Sequence, residues 1–344
     1  MRVLLVGTGV YPIPPTGYGG VERTIAELAR ALTAAGAEVT VLQQVRRQRS
    51  TDEYRFAWHL PRLVAGERFD ALHASTPVVA NRLALAGIPY VYTTHSRHWF
   101  LRRGWRERWG YGLERRAVRR SRATLALTER VRDRVAADLG TPGPPLPVVP
   151  IGVDTSRFHP DWSARNGRTV LGVGVVQRFK RWELAARALR DLDVELTIVG
   201  PTPDAAYASE LKAIGPHVRL LGERPEEELV ARFASSDLLV HPSEVELLAG
   251  VVLQGLASGL PVLGAEPIAS LLEPDRTGFS SPAGSPPSAI EAFLRSGAQR
   301  LLSDPTLRRS MGEAARRSAE VRFAWPVVAH AHLQVYRSAF PATS

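Results

Sequence analysis

The chain has 344 residues, a length that favours two domains, and its 44% hydrophobic and 23% charged residues are typical of a folded protein. It contains no cysteine, which excludes disulfide scaffolds, cysteine-ligated zinc, iron–sulfur clusters and thiol nucleophiles, and no apolar run reaches the roughly 18 residues of a membrane-spanning helix. The net charge is +10, and only two of the 44 basic residues are lysines, Lys180 and Lys212. We therefore expect a cytoplasmic protein of two domains.

The first half of the chain alternates short apolar runs with helical patterns. A helix is predicted over Val21–Ala35, where apolar residues recur at helical spacing until Gly36. Continuous apolar strands separated by helices favour a parallel sheet that is covered on both faces. The predicted strands are Arg2–Gly7, Glu38–Leu42, Phe69–Ala74, Pro89–Thr94 and Ala123–Leu127.

A glycine-rich loop connects the first strand to the first helix. Gly19 and Gly20 lie at the start of the helix, where flexible backbone and free N–H groups can bind an anion. A plain turn between strand and helix would use the same residues, so the loop alone leaves both interpretations open. Pro12 stands where a dinucleotide-binding G-x-G-x-x-G would have its third glycine, which argues against a dehydrogenase.

The end of the fourth predicted strand is His95. The carboxyl end of a parallel strand is the edge at which ligands bind, so this position suits a site residue. A structural histidine is the alternative interpretation.

A strongly basic segment follows, Arg97–Arg122. It holds ten arginines and two glutamates, a net charge of +8, and its three glycines predict that no single unbroken helix forms. The mixture of arginine and aromatic residues is typical of a surface that binds anionic lipid, although a solvated basic face is an alternative. No nucleic-acid-reading motif is present, so we expect no nucleic-acid partner. The aromatic residues are Trp99, Phe100, Trp105 and Trp109, and the glycines are Gly104, Gly110 and Gly112.

The alternation of strands and helices restarts in the second half. Residues 140–150 hold five prolines and two glycines, which predicts a linker. Two doubly wound units in tandem are expected to bind ligands in the cleft between them. The amphipathic tail Ala324–Phe340 predicts a terminal helix that packs back on the first domain. The second set of predicted strands is Thr169–Gly174, Val194–Gly200, Val218–Leu221, Asp237–His241 and Leu260–Gly264.

Two segments of the second half carry candidate binding residues. Arg178, Lys180 and Arg181 follow the first strand there, and such a cation cluster suits phosphate, with a solvated turn as the alternative. The segment His241–Gly250 ends a buried strand, includes Glu244 and Glu246, and leads into a helix. A carboxylate beside a helix start could accept hydrogen bonds from sugar hydroxyls.

One segment has the spacing of a metal-binding motif but does not lie where a metal site is expected. Asp191-Leu192-Asp193 has D-x-D spacing, but it precedes a strand and so lies at the amino end of the predicted sheet. We interpret it as a turn and expect no metal.

Taken together, these segments resemble family 4 of the retaining glycosyltransferases, whose GT-B fold has two facing Rossmann-like domains with a cleft between them. The resemblance covers nearly the whole chain and implies a first, acceptor-side domain 1–150 completed by helix 324–344, and a nucleotide-sugar-binding domain 151–323. The matching motifs are Tyr18–Glu22, Gly152–Phe158, Pro242–Val262 and Trp325–Tyr336.

The family transfers a sugar from a nucleotide-sugar donor to an acceptor hydroxyl, with retention at the anomeric carbon and without a metal. The resemblance implies a UDP- or GDP-sugar donor as substrate, no other cofactor, and an unknown acceptor, with an anionic membrane surface as a further partner. By position, Gly19 and Gly20 would lie near the distal phosphate, and Lys180 would neutralise the diphosphate. His95 would contact the sugar, and Glu246 would hold its hydroxyls. N–H groups would be presented by Leu248, Ala249 and Gly250.

The donor site departs from the family pattern at several positions. The second glutamate of the family, which binds the ribose, is Gln254 here, and a neutral amide makes a weaker hydrogen bond than a carboxylate. The phosphate-binding arginine is replaced by Val175, for which Arg178 could substitute. A GT-B protein that binds a nucleotide sugar or a partner without turnover, and a nucleotide-sugar epimerase, are therefore alternative interpretations.

Overall fold

The computed structural model describes residues 1–15, 20–43, 52–95, 104–139, 143, 145–246 and 249–341. They divide into two compact units. Unit 1 comprises Met1–Gly152 and Trp325–Ser344, and unit 2 comprises Val153–Ala324. These boundaries lie within two residues of the positions expected from the sequence.

Strands and helices alternate along most of the chain, which ends in three successive helices. The strands are β1 (Arg2–Val6), β2 (Glu38–Leu42), β3 (Ala71–Ala74), β4 (Val91–Thr93), β5 (Ala123–Leu125), β6 (Thr169–Val173), β7 (Glu195–Val199), β8 (Val218–Gly222), β9 (Leu238–His241), β10 (Val262–Gly264) and β11 (Gly278–Ser280). The helices are α1 (Gly20–Ala34), α2 (Asp52–Val64), α3 (Pro77–Leu85), α4 (Trp105–Arg120), α5 (Glu129–Leu139), α6 (Trp182–Leu189), α7 (Ala205–Ile214), α8 (Glu226–Ser235), α9 (Gly250–Ala257), α10 (Pro287–Ser303), α11 (Pro305–Ser318) and α12 (Trp325–Ala339).

Unit 1 is built on a parallel sheet with the strand order β2-β1-β3-β4-β5. Its core holds the buried residues of β1 and α1 together with one face of α12. Val328, Leu333 and Tyr336 of α12 are buried in this core, beside Leu5 and Leu32. The last helix of the chain is therefore part of the hydrophobic core of unit 1.

Helix α4 contradicts, for two of the three glycines, the prediction that glycine interrupts the basic segment. Gly104 precedes the helix, but Gly110 and Gly112 lie within its unbroken course. The helix is held by tertiary contacts: the Asn81 side chain donates to the Leu113 carbonyl at 2.8 Å, and its Ala117–Val118 face is buried. Tertiary packing provides most of a helix's stability, so it offsets the roughly 1 kcal/mol that each glycine costs.

The proline-rich segment expected to be a linker is partly an edge of the sheet. The carbonyl of Pro145 accepts from the Thr124 N–H at 2.9 Å, and that of Pro147 accepts from the Ala126 N–H at 3.0 Å. Proline lacks an N–H, but its carbonyl can still accept, which suits it to the edge of a sheet. The division between the units comes only after this segment, at Gly152.

Unit 2 has a second parallel sheet, with the strand order β11-β10-β9-β6-β7-β8. The last of these strands, β11, was not predicted from the sequence. The core includes Trp182 of α6, which is fully buried. Close to the ends of β6 and β7, a Cβ on Gly200 would lie 2.2 Å from the Gly174 carbonyl oxygen, and the φ of Gly200 is +153°. Only glycine allows the backbone to approach this closely there.

None of the described helices is long and apolar enough to cross a membrane.

Candidate active site

The principal cluster of candidate residues lies in unit 2, where β6 and β9 are neighbours. The chain runs outward from this pair in both directions, through β7 and β8 on one side and β10 and β11 on the other. In open parallel sheets such a switch point, at the carboxyl ends of the strands, is where ligands bind. Lys180 follows β6 on a short 3₁₀ turn, Arg178–Lys180, and His241 is the last residue of β9.

Glu246 brings these two loops together. One oxygen of its carboxylate, Oε1, accepts a hydrogen bond from the Lys180 ammonium and a second from Nε2 of His241, at 2.9 Å. The side chains of Lys180 and Glu246 are 13% and 14% exposed, and that of His241 is 1% exposed. The backbone joins the same loops, because the Glu244 N–H donates to the Phe179 carbonyl at 2.8 Å. The structure thus brings together two residues predicted from the sequence and one that was not.

The electrostatics of the cluster keep its carboxylate charged. Burial alone would raise the pKa of Glu246, but the hydrogen bonds from His241 and Lys180 and the charge of the ammonium outweigh it and lower that pKa to about 2. Burial lowers the pKa of His241, so its imidazole is neutral near pH 7. Because a carboxylate oxygen only accepts, Nε2 of His241 carries the proton and Nδ1 is a bare acceptor.

The two glutamates of the segment have different environments. Glu246 is the buried one, whereas Glu244 is 48% exposed and pairs with Arg181 at 3.0 Å. Arg181 has a positive φ of 53°, at the turn that leads into α6. Of the two carboxylates, only Glu246 is bound to the predicted phosphate-binding lysine.

Arg178 points to a different partner from that of Lys180. The two terminal nitrogens of its guanidinium donate to Glu210 of α7, at 3.0 and 2.6 Å, and the group lies over the ring of Tyr207 at 5.1 Å. Its side chain is exposed. To take over from the phosphate-binding arginine that Val175 replaces, Arg178 would first have to release Glu210.

Helix α9 begins beside this cluster in the sequence. Ala249 is its buried N-cap residue and offers no side-chain hydrogen bond to the N–H groups of the first turn, which Gly250 opens. Leu248 lies outside the described residues. On the same helix, Oε1 of Gln254 is buried and has no hydrogen-bond partner among the described residues.

The candidate residues of unit 1 lie near the ends of β1 and β4. Gly20 is the first residue of α1, and a Cβ placed on it would meet nothing within 4 Å. Its conformation and packing therefore do not require glycine, and the space beside it is open. Gly19 lies outside the described residues.

His95 follows β4 and is partly buried. Burial, with a smaller contribution from nearby His332, lowers the pKa of His95 to about 4, so its imidazole is neutral. His332 of α12 and His73 of β3 have ring centroids 5.8 Å apart, and Nδ1 of His73 lies 2.7 Å from the Tyr336 hydroxyl. These two histidines were not predicted from the sequence.

The residue that sequence reasoning missed in unit 2 is His241. It occupies the end of a predicted strand five positions before Glu246, which was a usable signal. The D-x-D aspartates are accounted for by exposed ion pairs, Asp191 with Arg295 at 2.9 Å and Asp193 with Arg168 at 3.1 Å. Within the ranges that the structure describes, no group of three histidine, aspartate or glutamate side chains could hold a metal ion.

Two family models match the chain. One, "Glycosyltransferase Family 4", matches residues 18–157, and the other, "Glycosyl transferases group 1", matches residues 167–298. GDP-mannose-dependent alpha-mannosyltransferases are among the similar curated proteins. That of Mycolicibacterium smegmatis is 35% identical over 52% of this chain and 47% of its own length, and that of Corynebacterium glutamicum is 34% identical over 33% and 29%. The chain thus spans about half or less of the length of these relatives.

Solved structures with the same fold cover almost the whole chain. Sucrose-phosphate synthase from Thermosynechococcus elongatus matches with a TM-score of 0.82 and 18% identity, over 99% of this chain and 100% of the other. Anabaena HepE in complex with UDP-glucose matches with a TM-score of 0.74 and 17% identity, over 98% and 100%. The strand orders of both sheets, the matches of the family models and these structural likenesses agree, and the chain belongs to glycosyltransferase family 4, with the GT-B fold.

Proposed function

We propose that the protein is a retaining, metal-independent glycosyltransferase that moves a sugar from a UDP- or GDP-linked donor to an acceptor hydroxyl. The observation that carries the proposal is the cluster of Lys180, Glu246 and His241 at the switch point of the second sheet. It combines a cation for a diphosphate with a charged acceptor for sugar hydroxyls, which are the two groups that a nucleotide sugar presents.

The chemical step breaks the bond between the anomeric carbon and the phosphate oxygen, and the electron pair leaves with the diphosphate. Lys180 would neutralise the charge that develops there, and such stabilisation is commonly the largest contribution to catalysis. Glu246 would hold the sugar through its hydroxyls. The acceptor oxygen bonds to the anomeric carbon on the face that the diphosphate leaves, and its proton passes to the departing phosphate oxygen. The step therefore needs no second carboxylate as a base.

The remaining candidate residues keep their expected roles as part of this proposal. The N–H groups at the start of α9 would bind the donor, and Gln254 would accept a ribose hydroxyl at its free Oε1. Gly20 would border the distal phosphate, and His95, a neutral imidazole, would contact the transferred sugar. Arg178 would reach a phosphate after release from Glu210.

The base and the sugar of the donor are left to experiment. The mannosyltransferase relatives are GDP-mannose-dependent by name, whereas the HepE structure holds UDP-glucose. Both donors are therefore included in the tests.

A thermal-shift screen with UDP, GDP, UDP-glucose and GDP-mannose tests the donor site. A ligand at 100 times its dissociation constant stabilises the folded protein by about 2.7 kcal/mol, which gives a clear shift in Tm. We expect a shift with the nucleotides of one base, its loss in Lys180→Ala, and its retention in Lys212→Ala. Lys212 is a matched control, since it is the only other lysine and is exposed on α7. The absence of any shift in the wild-type protein would refute the donor site.

Turnover is tested separately from binding. Slow hydrolysis of the bound nucleotide sugar without an acceptor is expected of a transferase, and a protein that only binds the donor would release none of the sugar. Retention is then read from the anomeric configuration of a transfer product by NMR.

We further propose that unit 1 binds an anionic lipid surface at the cytoplasmic face of a membrane. The exposed side chains of α2 and α4 include Trp58 and Trp109, at 65% and 53% exposure, and the ring of Tyr54 lies 6.1 Å from that of Trp109. Arg82 of α3 lies over the ring of Trp58 at 4.9 Å. The described side chains of these three helices include no exposed carboxylate. Exposed aromatics among arginines favour an anionic interface.

Vesicle flotation with and without acidic lipid tests this surface. We expect binding to acidic vesicles that is lost in Trp58→Ala/Trp109→Ala and kept in Val321→Ala, a control at an exposed apolar residue of unit 2. Equal binding to neutral vesicles, or none to either kind, would contradict the proposal. Residues 96–103, which complete the basic segment, lie outside the described residues.

A further inference from the structure

We propose that His241 is a positioning residue, which holds the Glu246 carboxylate in place when the donor diphosphate draws Lys180 away from it. This inference rests on the proposed function. It adds a role for His241, a residue to which neither the family motif nor the sequence pattern assigns one.

The two donors share one acceptor atom. Oε1 of Glu246 accepts from both the Lys180 ammonium and the His241 imidazole. A diphosphate carries more negative charge than a carboxylate, so it competes effectively for the ammonium. Once Lys180 turns to the diphosphate, the N–H of His241 is the remaining one of these two donors, and it fixes the carboxylate for the sugar hydroxyls.

His241 is built to stay where it is. It ends β9, its carbonyl accepts from the Ala265 N–H at 3.1 Å, and its side chain is 1% exposed. The ring packs edge-on against Trp182, with centroids 6.5 Å apart and planes at 90°. Lys180 instead reaches the carboxylate through a long flexible chain. The rigid donor and the flexible donor are thus suited to different tasks, one to anchor Glu246 and the other to move.

The presence of a histidine here carries a cost to the fold. Its Nδ1 atom is buried and has no hydrogen-bond partner among the described residues, an arrangement that buried polar atoms in folded proteins rarely show. An apolar side chain of similar size would avoid that cost. A role in stability alone does not explain the histidine, whereas a requirement for its Nε2–H group does.

The substitutions His241→Leu and His241→Gln separate the two roles. Leucine fills the space without a donor, and the glutamine amide can place an N–H close to the position of Nε2. With isothermal titration calorimetry we expect His241→Leu to bind UDP or GDP within about twofold of wild type and to bind the matching UDP-glucose or GDP-mannose about tenfold more weakly or worse. His241→Gln should recover most of that loss.

The acid limb of the kcat/KM profile gives a second readout. Without His241, Glu246 is protonated at a higher pH, so the limb should move to higher pH in His241→Leu and return towards wild type in His241→Gln. Equal sugar-nucleotide binding by wild type and His241→Leu, or a glutamine variant as weak as the leucine variant, would overturn the inference alone. A wild-type protein that binds no nucleotide and no nucleotide sugar would overturn the proposed function together with it.

Discussion

Each unit has a buried polar cluster, and the two clusters differ in charge. In unit 1, His73 and His332 lie in the interior and burial lowers their pKa values, that of His332 to about 4, so both are neutral. In unit 2, Glu246 is almost as well buried but remains charged, with a pKa lowered to about 2. Burial works against the charged form in both units. The difference is the partner, because Glu246 has an ammonium and an imidazole N–H, whereas the histidines are close to one another and to neutral groups.

This contrast shows that the same sheet architecture supports two kinds of polar interior. A neutral cluster can fix the packing of α12 against β3, while a charged cluster can act on a charged ligand. Depth of burial alone therefore does not identify a functional site, and the pairing of charges is the better guide.

The largest expected effect tests the charge of Glu246. Glu246→Gln keeps the shape of the side chain and removes the charge, so we expect kcat/KM for the nucleotide sugar to fall about 100-fold, measured by donor turnover. Glu244→Gln is the matched control, since that residue is exposed and pairs with Arg181. Similar losses in both variants would show that the buried position of Glu246 has no special importance.

The second prediction concerns the stability of the two units at acid pH. The histidines of unit 1 bind protons more weakly in the folded chain than in the unfolded chain, so lowering the pH from 6.5 towards 4 favours unfolding of unit 1, by up to about 3 kcal/mol for His332. The contribution of Glu246 is complete above its ordinary pKa of 4.5 and is lost only as the pH falls towards 2. Burial also lowers the pKa of His241 at the end of β9, but the Glu246 carboxylate opposes that shift. Hydrogen exchange by mass spectrometry should therefore show α12 and β3 losing protection at a higher pH than β9.

His332→Leu is the variant that checks the cause of this order. It should flatten the pH dependence of α12 between pH 6.5 and 4 and leave that of β9 unchanged. If β9 loses protection first in the wild-type protein, the assignment of the acid sensitivity to unit 1 is wrong.

The third prediction tests the neutral cluster directly. Tyr336→Phe removes the hydroxyl that lies 2.7 Å from Nδ1 of His73 and leaves that buried nitrogen unpaired. We expect the free energy of unfolding of unit 1 to fall by about 1–2 kcal/mol in urea titrations. Tyr54→Phe, at an exposed ring, should change it by less than about 0.5 kcal/mol. A neutral result for Tyr336→Phe would mean that the cluster does not fix α12.

The smallest expected effect is at an exposed pair of unit 2. Arg178→Ala breaks the bidentate pair with Glu210, and because both side chains are exposed we expect a nearly unchanged Tm in thermal unfolding. The same variant separates the two roles of the arginine. A nucleotide affinity that falls severalfold with an unchanged Tm would support phosphate binding, and an unchanged affinity would assign Arg178 to the surface.

Much of the fold could be predicted from the pattern of apolar residues. The ten predicted strands are all present with bounds within about two residues, because each is an apolar run between polar or glycine-rich turns. The eleventh, β11, has only three residues and no alternation that would reveal it. The prediction that Gly110 and Gly112 interrupt α4 was wrong because contacts with α3 outweigh the low helix propensity of glycine.

The candidate site was predicted only in part. Lys180 and Glu246 were identified through their positions after strands and through the family resemblance. The partner of Arg178 and the role of His241 depend on which side chains meet across 32 and 5 positions of sequence, and no local pattern encodes those contacts. Pairing with Glu210 in particular required the register of α7 against the turn after β6.

The return of α12 to unit 1 has a consequence for how the chain folds. Unit 2 is one continuous stretch, Val153–Ala324, whereas the core of unit 1 lacks Val328, Leu333 and Tyr336 until the end of the chain is available. During synthesis, unit 2 can therefore complete its core while the larger part of unit 1, made earlier, still exposes the apolar surface that α12 covers. Unit 1 therefore completes its core after unit 2, although most of it is synthesised earlier. A chain truncated before Trp325 should aggregate through unit 1 rather than unit 2.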